Sequence, residues 1–508
     1  MKLKNYIYGV MVAAVAFTGC TKKFEQVNTS PTSVTNLSSD LLFTNCEIGV
    51  SGGEYEAWRT NLIYNSQFIQ HFASISWDQG NRYKFDEGYN SSLWDSYYGG
   101  PIKNLVNLVA KTNGVAADVN YNSAARILKA YAFLRLTDSY GDIPYTEAGN
   151  GYLTTTFNPK YDEQKNIYAD LVNELDAAAK AFDAGKSFKG DVSSYNGDVT
   201  LWKKAAYSLM LRIGMRQVKA DPATAQAVVT KAVAGGLISN YNESFRITHL
   251  PSNYDNPNSH VLGYYNGSRY ELSSNSFKLS KSFYDMLNGK ADPRLPILFV
   301  VRTGPSSSAT IGTEDATPGI QKGLPNGTDP TGFSGIATYS QLRSDFAKGE
   351  APNLLVTHSE TALLLAEARE RGWISSSTSE QYFRDGVLSA INQWKLYNPT
   401  PSLFNDAANS TYANTTLVFP AGSTARIQAI NEQYYIATLL DEYEAHANWR
   451  RTGYPALTAA TNSGYSNGAI PRRFQYPSSE SSLNGENLNA AIARQGANNW
   501  VTRVWWDK

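Results

Sequence analysis

Residues 357–397 read THSETALLLAEARERGWISSSTSEQYFRDGVLSAINQWKLY. Two capping boxes punctuate the stretch, Thr357 with Glu360 and Thr378 with Gln381. A threonine oxygen at such a position accepts from the exposed N–H three residues on, while the acid or amide reaches back. After the first box, Leu363, Leu364 and Ala368 keep one helical face apolar as far as Gly372, a residue that leaves a helix at little steric cost. After the second, Tyr382, Val387, Ile391 and Trp394 do the same. The segment is one helix-turn-helix unit of about the size of a tetratricopeptide repeat. A helix pair of this length cannot bury its apolar stripe alone, so it is expected to stack with others into a curved array with a continuous core.

The same grammar recurs upstream. Ile127, Leu128, Tyr131, Leu134 and Thr137 line a helix that stops before Gly141 and Pro144, and Ile167, Leu171, Leu175, Ala178 and Phe182 line one starting from about Asp162. Asp198 caps a helix with the stripe Trp202, Ala205, Leu209 and Ile213; Asp221, followed by Pro222, opens another that stops at Gly235-Gly236. A further helix is expected from about Thr424 to Trp449. Hardly any stretch alternates with the period of a strand, so the fold class is mainly α. Residues 41–508 form a single helical domain with a loop-rich insertion at about 251–345, dominated by Asn, Ser, Gly, Pro and Tyr, with one short helix near Phe277 to Leu287. Residues 72–101 are similar in kind, carrying Trp77, Tyr83, Phe85, Tyr89, Trp94, Tyr97 and Tyr98. Trp94 and Tyr97 continue at helical spacing toward Ile102 and Leu105, which assigns them to the core.

The chain begins with Lys2 and Lys4, an apolar run from Tyr6 to Phe17, and Phe17-Thr18-Gly19-Cys20. The run is too short to span a bilayer and has the form of a secretory signal. Residues 1–19 are expected to be a lipoprotein signal peptide, Cys20 the lipid attachment site, and residues 20–40 a tether; ordinary cleavage with an incidental Cys20 is the alternative.

With 45 basic and 45 acidic side chains there is no general field for polyanions, and no nucleic-acid partner is expected. Two cysteines exclude a disulfide-stapled scaffold, and Cys46 is either a small buried hydrophobe or a reactive thiol. The five histidines form no helical ligand pair; His358 reads as a surface position and His446 as a favourable cation near a helix C-terminus. Gly464-Tyr465-Ser466-Asn467-Gly468 matches the serine-hydrolase pattern but lacks the preceding buried strand. No catalytic residue, metal or cofactor is expected.

Several separated blocks occur in order: Phe24-Glu25-Gln26-Val27-Asn28-Thr29-Ser30-Pro31, Asp138-Ser139-Tyr140-Gly141-Asp142-Ile143-Pro144-Tyr145, Leu211-Arg212-Ile213-Gly214-Met215-Arg216, Asp292-Pro293-Arg294, Trp449-Arg450-Arg451-Thr452-Gly453-Tyr454-Pro455, Pro471-Arg472-Arg473 and Trp505-Trp506-Asp507. Together they resemble the SusD/RagB-type nutrient-binding outer-membrane lipoproteins of the Bacteroidetes, in the branch ending in Trp-Trp-Asp. The resemblance implies tetratricopeptide-like helix pairs forming a right-handed scaffold with long loop-rich insertions. It also implies a non-enzymatic lipoprotein, anchored in the outer membrane and facing the cell surface. Such a protein captures oligosaccharides and delivers them to a partner TonB-dependent, SusC-like transporter. A peptide or other nutrient receptor of the same type, or a ligand-independent transporter lid, are the alternatives. Most shared blocks read as structural: Gly141-Asp142-Ile143-Pro144 as a turn, and Arg450-Arg451 and Arg472-Arg473 as bridges to carboxylates or helix C-terminal carbonyls.

Sugar rings present C–H faces that stack on Trp and Tyr, and hydroxyls that Asn, Asp and Arg can hold. Two aromatic segments offer that combination and are the expected ligand site: Trp77, Asp78, Asn81, Arg82 and Tyr83, and Tyr264, Tyr265, Asn266, Arg269 and Tyr270.

Overall fold

Capping chemistry sets the helix boundaries. The computed structural model describes residues 37–250, 277–303, 312–460, 464–466 and 468–508. Asp198 accepts from the N–H groups of Thr200 and Leu201, Asp221 from Thr224, and Thr378 from Gln381. At Thr357 both halves of the capping box are present. Each satisfies amide donors that the helix cannot pair internally.

The principal helices are α1 (Ser39–Ser51), α2 (Lys103–Thr112), α3 (Val119–Tyr140), α4 (Gln164–Ala181), α5 (Val199–Arg216), α6 (Pro222–Gly235), α7 (His358–Glu370), α8 (Ser379–Asn392), α9 (Ser423–Ala437), α10 (Glu442–Thr452) and α11 (Gly485–Gln495). Neighbours in sequence pack on one another from α2 to α6; α7 packs on α8 and α9, and α5 joins the halves by touching α7. This is the expected mainly helical scaffold of stacked pairs. Among the described residues strands are short, as in Phe72–Ala73 paired antiparallel with Lys278–Leu279. No described helix is long and apolar enough to cross a membrane.

The helix expected from Thr424 to Trp449 is in fact two. It breaks between Ala437 and Glu442, where Leu440 adopts a left-handed φ of 78°. Asn61 holds the break from the other end of the chain: its Nδ2 donates to the Leu440 carbonyl at 3.1 Å and its Oδ1 accepts from the Glu442 N–H at 3.1 Å. Nothing local in the sequence announces a corner whose partner lies nearly four hundred residues away. The described part of the insertion holds more regular structure than the one short helix expected, since Phe299–Thr303 is the centre of a three-stranded sheet with Thr313–Asp315 and Gln341–Leu342.

The junction of the halves is ionic. Arg212 meets Glu360 at 2.7 Å, Arg216 pairs with Glu444, and Arg451 meets Glu367 at 2.7 Å, all buried. Ions out of water need paired geometry to persist, so these positions hold the helices in one arrangement. The arginine blocks are structural: Arg472 Nε donates to Asp507 at 2.6 Å, and Arg450 Nη1 to the Asp138 carbonyl at 2.7 Å. Trp506 closes the same region, its indole N–H donating to Asp138 at 3.0 Å.

Two histidine readings change. His446 is buried with Nε2 on the Pro471 carbonyl at 2.9 Å, and burial pushes its pKa well below the ordinary value, so it is a neutral ring rather than a helix-end cation. His358 is only half-buried, but burial lowers its pKa too. Cys46 is the buried hydrophobe, its thiol pushed up to about 12 by desolvation. Ser466 is buried and donates to the Ala469 carbonyl at 2.5 Å, closing a turn.

Candidate functional site

The site grows from an unusual element. Residues Ala57–Asn65 form a π-helix, a widened turn that is often found at functional positions. Its inner residues, Thr60 to Asn65, are buried, whereas Trp58 and Arg59 sit half-buried at its start, after the exposed Tyr55. Inward, Tyr64 pins the chain from Lys84 to Asp86: its hydroxyl donates to the Lys84 carbonyl at 3.0 Å and accepts from the Asp86 N–H at 2.8 Å.

The loop carrying Trp77 is pressed against this π-helix. A Cβ on Gly80 would lie 1.9 Å from the Ile63 carbonyl oxygen, so only glycine permits the approach. Gln67 then reads both sides of the loop, donating to the Trp77 carbonyl at 2.9 Å and accepting from the Asn81 N–H at 2.6 Å. Ser74 Oγ accepts from the Trp77 N–H at 3.0 Å.

This packing sorts the residues expected at the site. Trp77 is half-buried, edge-on to Trp58 with centroids 5.4 Å apart. Arg82 is partly exposed and paired with Asp78 at 3.3 Å and Asp329 at 3.4 Å. Asp78 also takes Lys84 at 2.7 Å. Asn81 is fully buried, donating to the Ser74 carbonyl at 3.0 Å, and Tyr83 turns inward at a φ of 51°, its hydroxyl accepting from the Ala460 N–H at 3.2 Å. Asn81 and Tyr83 thus hold the loop, and Trp77 and Arg82 are the members that reach the surface. Cys20, Tyr264, Tyr265, Asn266, Arg269 and Tyr270 lie outside the described residues. Phe277, a described residue, packs its ring 5.3 Å from Trp77.

Three rings that sequence reasoning did not place complete the surface. Tyr55 is 57% exposed and lies 6.4 Å from Trp58, and Trp58 lies 6.0 Å from Tyr89. The spacing Tyr55-x-x-Trp58 is the signal that could have found the first two, since residues three apart share a helix face. Tyr55, Tyr89 and Trp77 therefore gather round Trp58 in an aromatic row that turns at Trp58 and rests on the π-helix and the Trp77 loop. Polar atoms behind it are left without partners: Trp58 Nε1, Arg59 Nε, Gln79 Oε1, Asn81 Oδ1, Arg82 Nε and Asn326 Oδ1. Among the described residues these atoms are buried and have no hydrogen-bond partner, whereas buried polar atoms are normally satisfied. A second exposed ring, Tyr465, stacks on Phe85 at 4.9 Å.

The chemistry available is stacking and hydrogen bonding. Among the described residues no group of three or more His, Cys, Asp or Glu side chains could hold a metal. A cavity of about 350 Å3 opens between α2, α3 and α4, but its rings, Phe133 and Tyr145, are buried, and its Glu174 is neutralised by Arg126 at 2.8 Å.

A family model for SusD-like proteins, described as starch-binding and associating with the outer membrane, matches residues 31–477. A solved chitin-binding protein is similar at 32% identity and a TM-score of 0.81, covering 93% of this chain and 100% of its own. A SusD-like protein, Bacteroidetes AC2a, shares the fold at 24% identity and TM-score 0.82, with 93% and 100% covered. A chitin-binding SusD homologue from Flavobacterium johnsoniae does so at 23% and 0.75, with 92% and 98% covered. No match was found among curated proteins.

Proposed function

Since the chain belongs to the SusD-like family, we propose that it is a surface receptor that captures oligosaccharides on its aromatic row and hands them to a TonB-dependent, SusC-like transporter. The observation that carries this reading is the row Tyr55, Trp58, Tyr89 and Trp77, one exposed and three half-buried rings gathered at Trp58. Ring faces of this kind hold the C–H faces of sugars, and the partly exposed side chains of Arg59 and Arg82 beside them can donate to hydroxyls. The role is binding rather than catalysis: the serine of the hydrolase-like pattern is spent on a turn. Lipid attachment at Cys20 would keep the receptor at the outer membrane, beside its transporter.

The similarity to a chitin-binding protein makes β-linked N-acetylglucosamine oligomers the first ligands to try. Titration calorimetry of residues 21–508 against a glycan panel is expected to give a ligand whose binding is lost in Trp58→Ala and Trp77→Ala. Silence on every glycan with tight binding of a peptide pool would overturn the glycan reading in favour of a peptide receptor.

A further inference from the structure

We infer that Arg59 is a specificity residue, and that the oligosaccharide this site selects carries an anionic group, a carboxylate or a sulfate. This rests on the aromatic row being the glycan face. The guanidinium carbon of Arg59 lies 4.8 Å from the Tyr55 ring centroid, 5.6 Å from Trp58 and 5.6 Å from Tyr89. Three ring faces position it in the middle of the row, where the attraction between cation and ring quadrupole keeps it.

It has no ion-pair partner among the described residues. Among the described residues no carboxylate lies within ion-pair distance of Arg59, and none of its nitrogens makes a hydrogen bond. Its Nε is buried without a partner, while its two terminal nitrogens are not shut off from solvent. The neighbouring cations differ in this respect: Arg82 is paired with Asp78 and Asp329, and Lys84 with Asp78. The nearby acids are turned to backbone donors, Asp86 accepting from the Tyr89 N–H at 3.1 Å and Glu87 from the Ser478 N–H at 2.7 Å, and neither reaches ion-pair distance of Arg59. A planar fork of donors, desolvated on its ring-facing sides and free at its tips, matches a carboxylate or sulfate in two parallel hydrogen bonds. Neutral hydroxyls could accept from the same tips, but an anion adds charge pairing in two parallel bonds. A sugar face on Trp58 or Trp77 with its acidic substituent on Arg59 uses both properties of the row at once.

The test pairs ligands that differ only in charge. Oligogalacturonides would be titrated beside their carboxyl-reduced forms, and sulfated galactan oligosaccharides beside their desulfated forms, with chitin oligomers and a peptide pool as further arms. Wild type, Arg59→Gln and Arg59→Lys would be compared, their thermal midpoints checking that each is folded. The expected result is binding of one acidic series, weakened about 10- to 100-fold on removing the ligand's charge or in Arg59→Gln, and partly restored in Arg59→Lys. Which series binds separates carboxylate from sulfate. Equal binding of a charged ligand and its neutral counterpart, or tight binding of chitin oligomers alone, would overturn the inference and leave the glycan receptor standing. Binding of peptides alone, or of none of these ligands, would overturn both.

Discussion

Arg451 on α10 grips Glu367 on α7 at both ends of the carboxylate: Nη1 donates to Oε1 at 2.7 Å and Nη2 to Oε2 at 2.8 Å, both side chains being buried. Arg371 adds two more donors, Nε at 3.0 Å and Nη2 at 2.8 Å, and Asn431 a fifth at 3.1 Å. Although burial opposes ionisation, these partners hold the Glu367 carboxyl down at about 2, against 4.5 ordinarily. A carboxyl depressed in the folded state stabilises the fold above its unfolded value and loses that contribution as pH falls through the folded one. Stability is therefore expected to decline between about pH 4.5 and 2, by about 3 kcal/mol from this group. Urea unfolding at stepped pH, wild type against Glu367→Gln, measures it: the variant is less stable at pH 7 and flatter across the acid window.

Gly80 faces the Ile63 carbonyl oxygen across a gap that a methyl group would close to 1.9 Å. Gly80→Ala must push the Trp77 loop off the π-helix, at about 1 to 3 kcal/mol. A protein that still melts cooperatively, with a lower midpoint and lost ligand binding, is expected; unchanged binding would show that the loop does not position the site.

The rings of the row differ in what they do for the fold. Tyr55 is largely exposed, so Tyr55→Ala should leave the thermal midpoint unchanged while weakening ligand binding by about 1 kcal/mol, the scale of one stacked aromatic contact. Trp77, packed on Trp58 and Phe277, should lower both. Calorimetric titration beside differential scanning calorimetry separates the two effects.

Asn61 supports the corner between α9 and α10 through two backbone groups. Asn61→Ala leaves the buried Leu440 carbonyl short of that donor and the Glu442 N–H without its acceptor, a cost of about 1 to 3 kcal/mol. Chemical denaturation should show that loss, and hydrogen exchange should localise it to residues 438–445.

Helix starts were legible because their signals are local. Asp198, Asp221, Thr357 and Thr378 each act on amides within three residues, and each cap is formed. The corner at Leu440 was not, because its cause is an asparagine distant in sequence. The site was half legible for the same reason. Aromatic density pointed to residues 72–101, but which faces stay open depends on Gly80 meeting Ile63, a contact between segments that turns Asn81 and Tyr83 inward. For Trp58 the spacing from Tyr55 is a local signal of a shared face, but nothing local announces the π-helix that sets that face beside the Trp77 loop. His446 was misread because position in a helix says little about depth, and depth removed its charge.

The π-helix and the glycine contact together separate two kinds of change that this protein can undergo. Tyr64, Gln67 and Gly80 are committed to backbone partners, so altering them disturbs the bed itself. Tyr55 and Arg59 touch only each other and the neighbouring rings of Trp58 and Tyr89, with no backbone partner, and replacing them exchanges the printed face without recasting the plate. Diversification of taste can thus proceed residue by residue on such a frame, each step testable for a new nutrient without first having to rescue folding.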